Sequence, residues 1–195
     1  MRQKRNSLSA PEQARQARKI LQQLATHPEI RFCRRIALYI ANDGEISPEF
    51  VAQHFWKRGQ RVYLPVLHPV GSNRLCFARY SPTTQLKKNR YGIPEPNTPF
   101  SRRTEAWTLD CVLLPLVAFD RTGGRLGMGG GYYDRTFAFL NKTNSAIGRI
   151  RMVGMAHSFQ ERPLLPVERW DIPLTHIATE QAVFKINCKV PLSNR

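Results

Sequence analysis

The sequence predicts an α/β domain built on a mostly parallel sheet with helices on both faces. Three observations lead there. Short apolar runs suited to buried strands recur along the 195 residues. Segments with apolar residues at helical spacing separate several of them. The strongest run, VLLPLVAF at 112–119, lacks the polar alternation of a half-solvated strand, as expected where both faces are covered. The length suits one domain, residues 1–195, with a proper core.

The elements follow in order. Residues 10–26 carry Ala14, Ala17, Leu21 and Leu24 at helical spacing with Ile20 beside them; Pro11 sits in the first turn and His27-Pro28 ends the helix. IALYIA at 36–41 reads as a buried strand. Ser47 as N-cap and Pro48 at the first helical position open a helix through Phe50, Val51, His54 and Phe55 that Gly59 closes. RVYLPVL at 61–67 is a second strand, its Pro65 implying a bulge or an edge. LCFARY at 75–80 is a shorter strand, and residues 81–108 are loop-rich with Pro82, Pro94, Pro96 and Pro99. After the strand at 112–119 comes a glycine loop, then a helix over 132–140. Strands at 150–157, 174–180 and 182–186 complete the set. Ligands of such sheets bind beyond the carboxyl ends of the strands, and the glycine loop would lie at one such end.

Composition narrows the function classes. Thirty Lys and Arg against fourteen Asp and Glu give a net charge of +16, which attracts polyanions. The basic residues are scattered, and no block of five or six forms an arm, which favours a charged pocket or general surface over a nucleic-acid tail. Cys33, Cys76, Cys111 and Cys188 lie far apart without a CxxC pair, so they read as free thiols rather than a zinc site. No apolar run approaches the roughly 20 residues of a membrane span, and no apolar segment follows the charged N-terminus. A cytoplasmic protein with no membrane partner is the expectation.

The candidate chemistry lies in GGRLGMGGGYYDR at 123–135. Gly123, Gly124, Gly127, Gly129, Gly130 and Gly131 crowd into nine positions between a strand and a helix. Glycine reaches positive φ freely and leaves backbone N–H groups unshielded, so successive N–H groups can form an anion nest. Arg125 adds a forked donor suited to phosphate. The loop is no Walker A, because no Gly-Lys-Ser/Thr follows, and no dinucleotide fingerprint, because Tyr132 stands where glycine is needed. A turn that merely packs tightly would need fewer glycines.

RLGMGGGYYDR resembles the signature of the 5-formyltetrahydrofolate cyclo-ligase (methenyltetrahydrofolate synthetase) family. The segments IALYIANDGEIS, YLPVL, YGIPEP, LPLVAFD and WDIPLTHIATE extend the resemblance over nearly the whole chain. It implies a three-layer α/β domain of the phosphosugar-isomerase and CoA-transferase type. It also implies conversion of 5-formyltetrahydrofolate to 5,10-methenyltetrahydrofolate with ATP as co-substrate and Mg2+ as cofactor, releasing ADP and phosphate. The family's folate can carry a polyglutamyl tail, which the basic excess would suit.

By the same resemblance, Arg125, Leu126, Gly127, Met128, Gly129, Gly130, Gly131, Tyr132 and Tyr133 would cradle the ATP phosphates. Lys4 and Arg5 match the later of two basic stretches by which such enzymes reach ATP. Met128 and Gly130 stand where some members are basic, which leaves Arg125 as the loop's main fixed positive charge. Arg125 and Asp134 are the candidate catalytic residues, and Asp134 and Asp171 the candidate metal ligands. Ile40, Glu45 and Tyr91 match positions that line the folate. On residue chemistry alone, Asp134 reads equally well as charge in a helix's first turn, and Asp171 as a loop aspartate before Pro173. Likewise Glu45 reads as a solvated loop residue, and Tyr91 as a packed loop anchor. Two other functions fit the same sequence. One is a folate-binding relative without catalysis. The other is a nucleic-acid-binding module using the net charge, although no recognised nucleic-acid motif is present.

Overall fold

The computed structural model describes residues 1–69, 73–141 and 150–186. Its elements run α1 (Arg2–Asn6), α2 (Ala10–Thr26), β1 (Arg35–Ala37), α3 (Glu49–Lys57), β2 (Arg61–Leu67), β3 (Leu75–Tyr80), β4 (Leu86–Lys88), β5 (Pro94–Pro96), β6 (Cys111–Pro115), β7 (Ala118–Phe119), β8 (Arg125–Leu126), α4 (Tyr132–Phe137), β9 (Arg151–Met155), β10 (His176–Ala178) and β11 (Val183–Lys185). A seven-stranded sheet has the order β11-β10-β9-β6-β1-β2-β3. The strands from β10 to β2 in that order are parallel, and the outer strands β11 and β3 are antiparallel to their neighbours. The fold is the α/β class expected.

Alternation along the strands builds the two faces. Ile36, Leu113 and Val153 pack with Ala17, Ile20 and Leu24 of α2 and Val51, Ala52 and Phe55 of α3. Their neighbours Ala37, Val112, Leu114 and Met152 face the other way, onto Phe119, Phe137 and Leu174. Helix α2 matches its expected span, and the Glu12 carboxylate closes its first turn by accepting the Ser9 N–H and O–H at 2.9 and 2.6 Å. Helix α3 starts at Glu49, with Pro48 rather than Ser47 at the cap position; Ser47 Oγ accepts the Glu49 N–H at 3.3 Å.

Pro65 sits in β2, which is not an edge strand, yet costs no ladder bond. Arg61 N–H donates to Arg34 O and Tyr63 O accepts from Leu38, so alternation points residue 65 toward β1 as well. β1 pairs with β2 only as far as Tyr63, so the missing N–H faces no strand.

Several spans differ from expectation. The expected strand at 36–41 leaves its ladder after Ala37 because the chain turns out toward the loop that holds Glu45; Leu38 and Tyr39 stay buried, and burial alone does not report hydrogen bonding. The expected strand at 112–119 is two strands. β6 ends at Pro115, and β7 forms an antiparallel hairpin with β8. Within the loop-rich stretch, β4 and β5 pair antiparallel around a turn at Tyr91-Gly92, where Gly92 has φ +75°. The predicted helix at 132–140 becomes 3-10 after Phe137. Cys33, Cys76 and Cys111 are buried free thiols, and Cys188 lies outside the described residues.

Candidate active site

The carboxyl ends of β1 and β6 are neighbours in the sheet, and the chain leaving each builds half of a site. From β1 it passes Ile40, partly buried against the core, to a turn at Asp43-Gly44 and then Glu45. From β6 it passes Leu116 into the β7–β8 hairpin, the glycine loop and α4.

Helix α1 ties these halves together. Arg5 is fully buried; its Nη1 donates to Leu116 O at 3.0 Å and its Nη2 to Asp43 Oδ2 at 2.9 Å. Arg2 and Asn6 also donate to the Asp43 carboxylate, at 2.5 and 2.9 Å, and together these donors hold its pKa down to about 2. Gly44, at φ +70°, lets α1 this close: a β-carbon there would lie 2.7 Å from Asn6 Oδ1 and 2.8 Å from Arg5. Lys4, beside Arg5, places Nζ 4.6 Å from the centre of the Phe159 ring.

Six glycines read as one loop divide into two groups. Gly123 and Gly124 are buried in the β7–β8 turn, which closes on Asp120. Asp120 Oδ1 accepts the N–H groups of Thr122 and Gly124 at 2.8 and 3.0 Å and the Thr122 hydroxyl at 2.7 Å; Oδ2 accepts Leu165 N–H at 2.8 Å. Burial alone would raise the Asp120 pKa, but these donors outweigh it and lower it. Gly127, Gly129 and Gly130 are exposed, with Leu126 and Met128 among them, and lead through Gly131 into α4.

Arg125 points inward from this loop. Its side chain is 8% exposed and its Nη2 donates to Asp134 Oδ1, which also accepts Ile172 N–H at 3.1 Å. Burial lowers the Arg125 pKa, opposed by Asp134, Asp171 and Tyr133. The group stays charged all the same, since a guanidinium does not lose its proton in proteins. Its buried Nη1 has no hydrogen-bond partner among the described residues. Asp171 lies close enough for its charge to act on Arg125, and its Oδ2 accepts Glu168 N–H at 2.9 Å. Asp171, distant in sequence, thus comes within electrostatic range of the Arg125–Asp134 pair.

Tyr133 links these charges to Glu45. It is half-buried, and desolvation raises its pKa most; Glu45 raises it further and Arg125 opposes. Burial also raises the pKa of Glu45, against the Asn42 N–H at 3.0 Å and the charge of Arg5. Tyr91, at the tip of the β4–β5 turn, is exposed and meets Tyr132, with the two hydroxyls 2.7 Å apart and Arg90 donating to Tyr132 at 2.6 Å. The structure therefore pairs Arg125 directly with Asp134, brings Asp171, Tyr133 and, beyond Tyr133, Glu45 within electrostatic range, and places Tyr91 on the outer rim.

Comparison with known proteins gives this arrangement a family. Residues 1–180 match the 5-formyltetrahydrofolate cyclo-ligase family. The chain belongs to that family. The 5-formyltetrahydrofolate cyclo-ligase of Escherichia coli K12 is 37% identical over 185 residues, covering 95% of this chain and 99% of that protein. The enzyme of the same name from Haemophilus influenzae is 41% identical over 174 residues, covering 89% and 90%. Among solved structures, the 5,10-methenyltetrahydrofolate synthetase of Aquifex aeolicus superposes with a TM-score of 0.77 at 31% identity, over all of this chain and 93% of that one. That of Mycoplasma pneumoniae gives 0.68 at 27% identity, over 92% and 93%.

Sequence reading had passed over two residues that shape this cyclo-ligase fold, Asp43 and Asp120. Asp43 directly precedes Gly44 and Asp120 stands three residues before Gly123, each in a turn, which is the available signal, but some of the donors they accept come from chain elsewhere. No group of three or more His, Cys, Asp or Glu residues suited to a metal exists among the described residues. No described helix is long and apolar enough to cross a membrane.

Proposed function

We propose that this member of the cyclo-ligase family converts 5-formyltetrahydrofolate to 5,10-methenyltetrahydrofolate, consuming ATP with magnesium and releasing ADP and phosphate. The observation that carries the reading is the buried Arg125, paired on one side with Asp134 and left with an unmet donor at Nη1. An unpaired donor on a desolvated cation is costly unless an anionic oxygen completes it, and a phosphate fits.

The substrate chemistry explains the need for ATP. The formyl group on N-5 is an amide, so its carbon is a poor electrophile and its oxygen a poor leaving group. Transfer of the γ-phosphoryl to that oxygen remedies both. N-10 then attacks the carbon and gives up its proton, the C–O bond breaks, and the oxygen leaves within inorganic phosphate, which carries that proton away directly or through solvent. The protein's task is to hold two anionic ligands in line and to neutralise developing charge.

Arg125 would stabilise the transferring phosphoryl, with the exposed N–H groups of residues 126–131 and with Tyr132 and Tyr133 around the phosphates. Asp134 and Asp171 offer hard oxygen donors beside it and would hold magnesium, which when bound offsets phosphate charge. Lys4 and Arg5 would contribute positive charge from α1; Arg5 is held by Leu116 O and Asp43 through Nη1 and Nη2, while its buried Nε has no partner among the described residues. Glu45 would accept the paired N–H groups of the pterin, with Ile40 giving apolar contact and Tyr91 a stacking face. A polyglutamyl tail would be drawn by the net charge, in a cytoplasmic setting. The test is the absorbance of the methenyl product after mixing protein, ATP, magnesium and 5-formyltetrahydrofolate. Binding of folate without product or ADP would replace this reading with that of a non-catalytic relative.

A further inference from the structure

At the opposite end of the sheet, the fold assembles a basic surface that no stretch of sequence contains. Two segments start there: Arg31-Phe32-Cys33-Arg34-Arg35, entering β1, and Lys57-Arg58-Gly59-Gln60-Arg61, entering β2. Parallel pairing sets Arg35 beside Arg61, and the Arg61 N–H donates to Arg34 O at 2.8 Å. Gln60 Nε2 fastens the segments further, donating to Arg31 O at 3.1 Å and Cys33 O at 2.5 Å. Arg34, Arg35, Arg58 and Arg61 line one shallow depression with Gly59 and Gln60.

The charges in it are uncompensated. None of Arg31, Arg34, Arg35, Lys57, Arg58 and Arg61 belongs to an ion pair among the described residues. The neighbouring Asp110 turns one oxygen to the backbone N–H groups of Arg34 and Arg35, at 2.7 and 2.8 Å. Of the guanidinium groups lining the depression, only that of Arg35 has a hydrogen-bond partner among the described residues, the Thr108 carbonyl at 3.3 Å. Clustered like charges repel one another, so an arrangement held by backbone pairing and left unneutralised calls for an external polyanion.

Two features select the kind of polyanion. The side chains are nearly all arginine, whose planar fork matches phosphate oxygens. Phe32 is 66% exposed at the margin, with the Arg31 guanidinium 4.5 Å from its ring centre, a ready face for an unpaired base. Bases in a duplex are stacked already, and a lone Phe32 gives a membrane little apolar surface to take up. We infer that this surface binds a single-stranded nucleic acid, its phosphates along Arg34, Arg58 and Arg61 and a base on Phe32, independently of the ligand site at the other end of the sheet.

The test uses the full chain and a fluorescein-labelled oligouridylate, read by anisotropy between roughly 50 and 200 mM salt, where counterion release dominates. Wild-type affinity should fall with a log–log slope near −3, the value for about four phosphates on a single strand. Arg34→Ala/Arg58→Ala/Arg61→Ala should weaken binding at least about tenfold and bring the slope toward −1, with the melting temperature held within a few degrees. Phe32→Ala should weaken binding without changing the slope. If the triple variant does not fold, Arg58→Ala alone gives the same readout at smaller amplitude. Unchanged binding in these variants would overturn the inference, as would absence of binding by the wild type. Equal loss of binding to phosphatidylserine vesicles would overturn it in favour of a membrane surface.

Discussion

Arg125 and Asp134 form a partly buried ion pair that ties the end of a hairpin strand to the helix beyond the glycine loop. The same Asp134 oxygen holds Ile172 N–H at 3.1 Å, so one carboxylate organises three segments. The remaining donor on Arg125 gives the pair its functional meaning.

Removing that donor should separate the two ligands. Arg125→Ala is expected to weaken ATP binding on the order of tenfold to a hundredfold, the worth of a charge-assisted hydrogen bond, with much less effect on folate. Calorimetric titration of each ligand measures both. Equal losses would contradict the role assigned to Arg125.

Asp134 and Asp171 should differ in stability but agree in metal dependence. Asp134→Ala strands a buried guanidinium and should cost about 3 kcal/mol of stability in denaturant unfolding, whereas Asp171→Ala should cost less than about 1. Both should raise the magnesium concentration that half-saturates ATP binding by at least about tenfold. If neither variant shifts the magnesium titration, the metal lies elsewhere.

The β7–β8 turn should fail without its carboxylate. Asp120→Ala leaves the N–H groups of Thr122, Gly124 and Leu165 without their acceptor and should cost about 2 to 4 kcal/mol. Asp120→Asn, which keeps one acceptor oxygen, should cost less. Equal stability of all three proteins by thermal melting would refute this account of the turn.

Gly44 should not tolerate a side chain. Alanine there meets both an αL penalty of about 1–2 kcal/mol and the backbone of α1 at 2.8 Å. Gly44→Ala should lower the melting temperature and loosen α1, seen as faster amide exchange at residues 2–6. Retained exchange protection would show that α1 is held by Arg5 alone.

Acid should destabilise the fold through buried histidines. Burial, with His27 next, brings the His176 pKa down to about 4, and burial also lowers those of His157 and His27. The unfolded chain titrates them near 6.5 and so binds more protons there. Their contribution to stability is therefore complete above about pH 6.5 and is lost as pH falls toward 4, on the order of 2 to 3 kcal/mol for His176. Unfolding curves at several pH values check this. His176→Gln should flatten the dependence, and an unchanged slope would mean that His176 does not carry it.

Much of the architecture was legible because its causes are local. The spacing of Ala17, Ile20 and Leu24, with Pro11 in the first turn and His27-Pro28 at the end, defines α2 at its observed bounds. The apolar runs located the strands, but not where Ala37 and Pro115 leave their ladders, since a buried residue looks alike in sequence whether or not its backbone is paired. Of the glycines at 123–131, sequence could not separate those closing on Asp120 from those facing solvent.

The sequence by itself determined the α/β class, the span of α2, and a family signature spread over segments from IALYIANDGEIS to WDIPLTHIATE. These rest on periodicity and on residue order, which the chain carries along its length. Only the tertiary structure decided that Arg5 belongs to Asp43 and Leu116, that Arg125 is half-paired, and that two modest basic runs become one arginine surface. Charge and desolvation act through space, and the separations that matter, between residues 34 and 61 or 125 and 171, are set by strand pairing and layer packing.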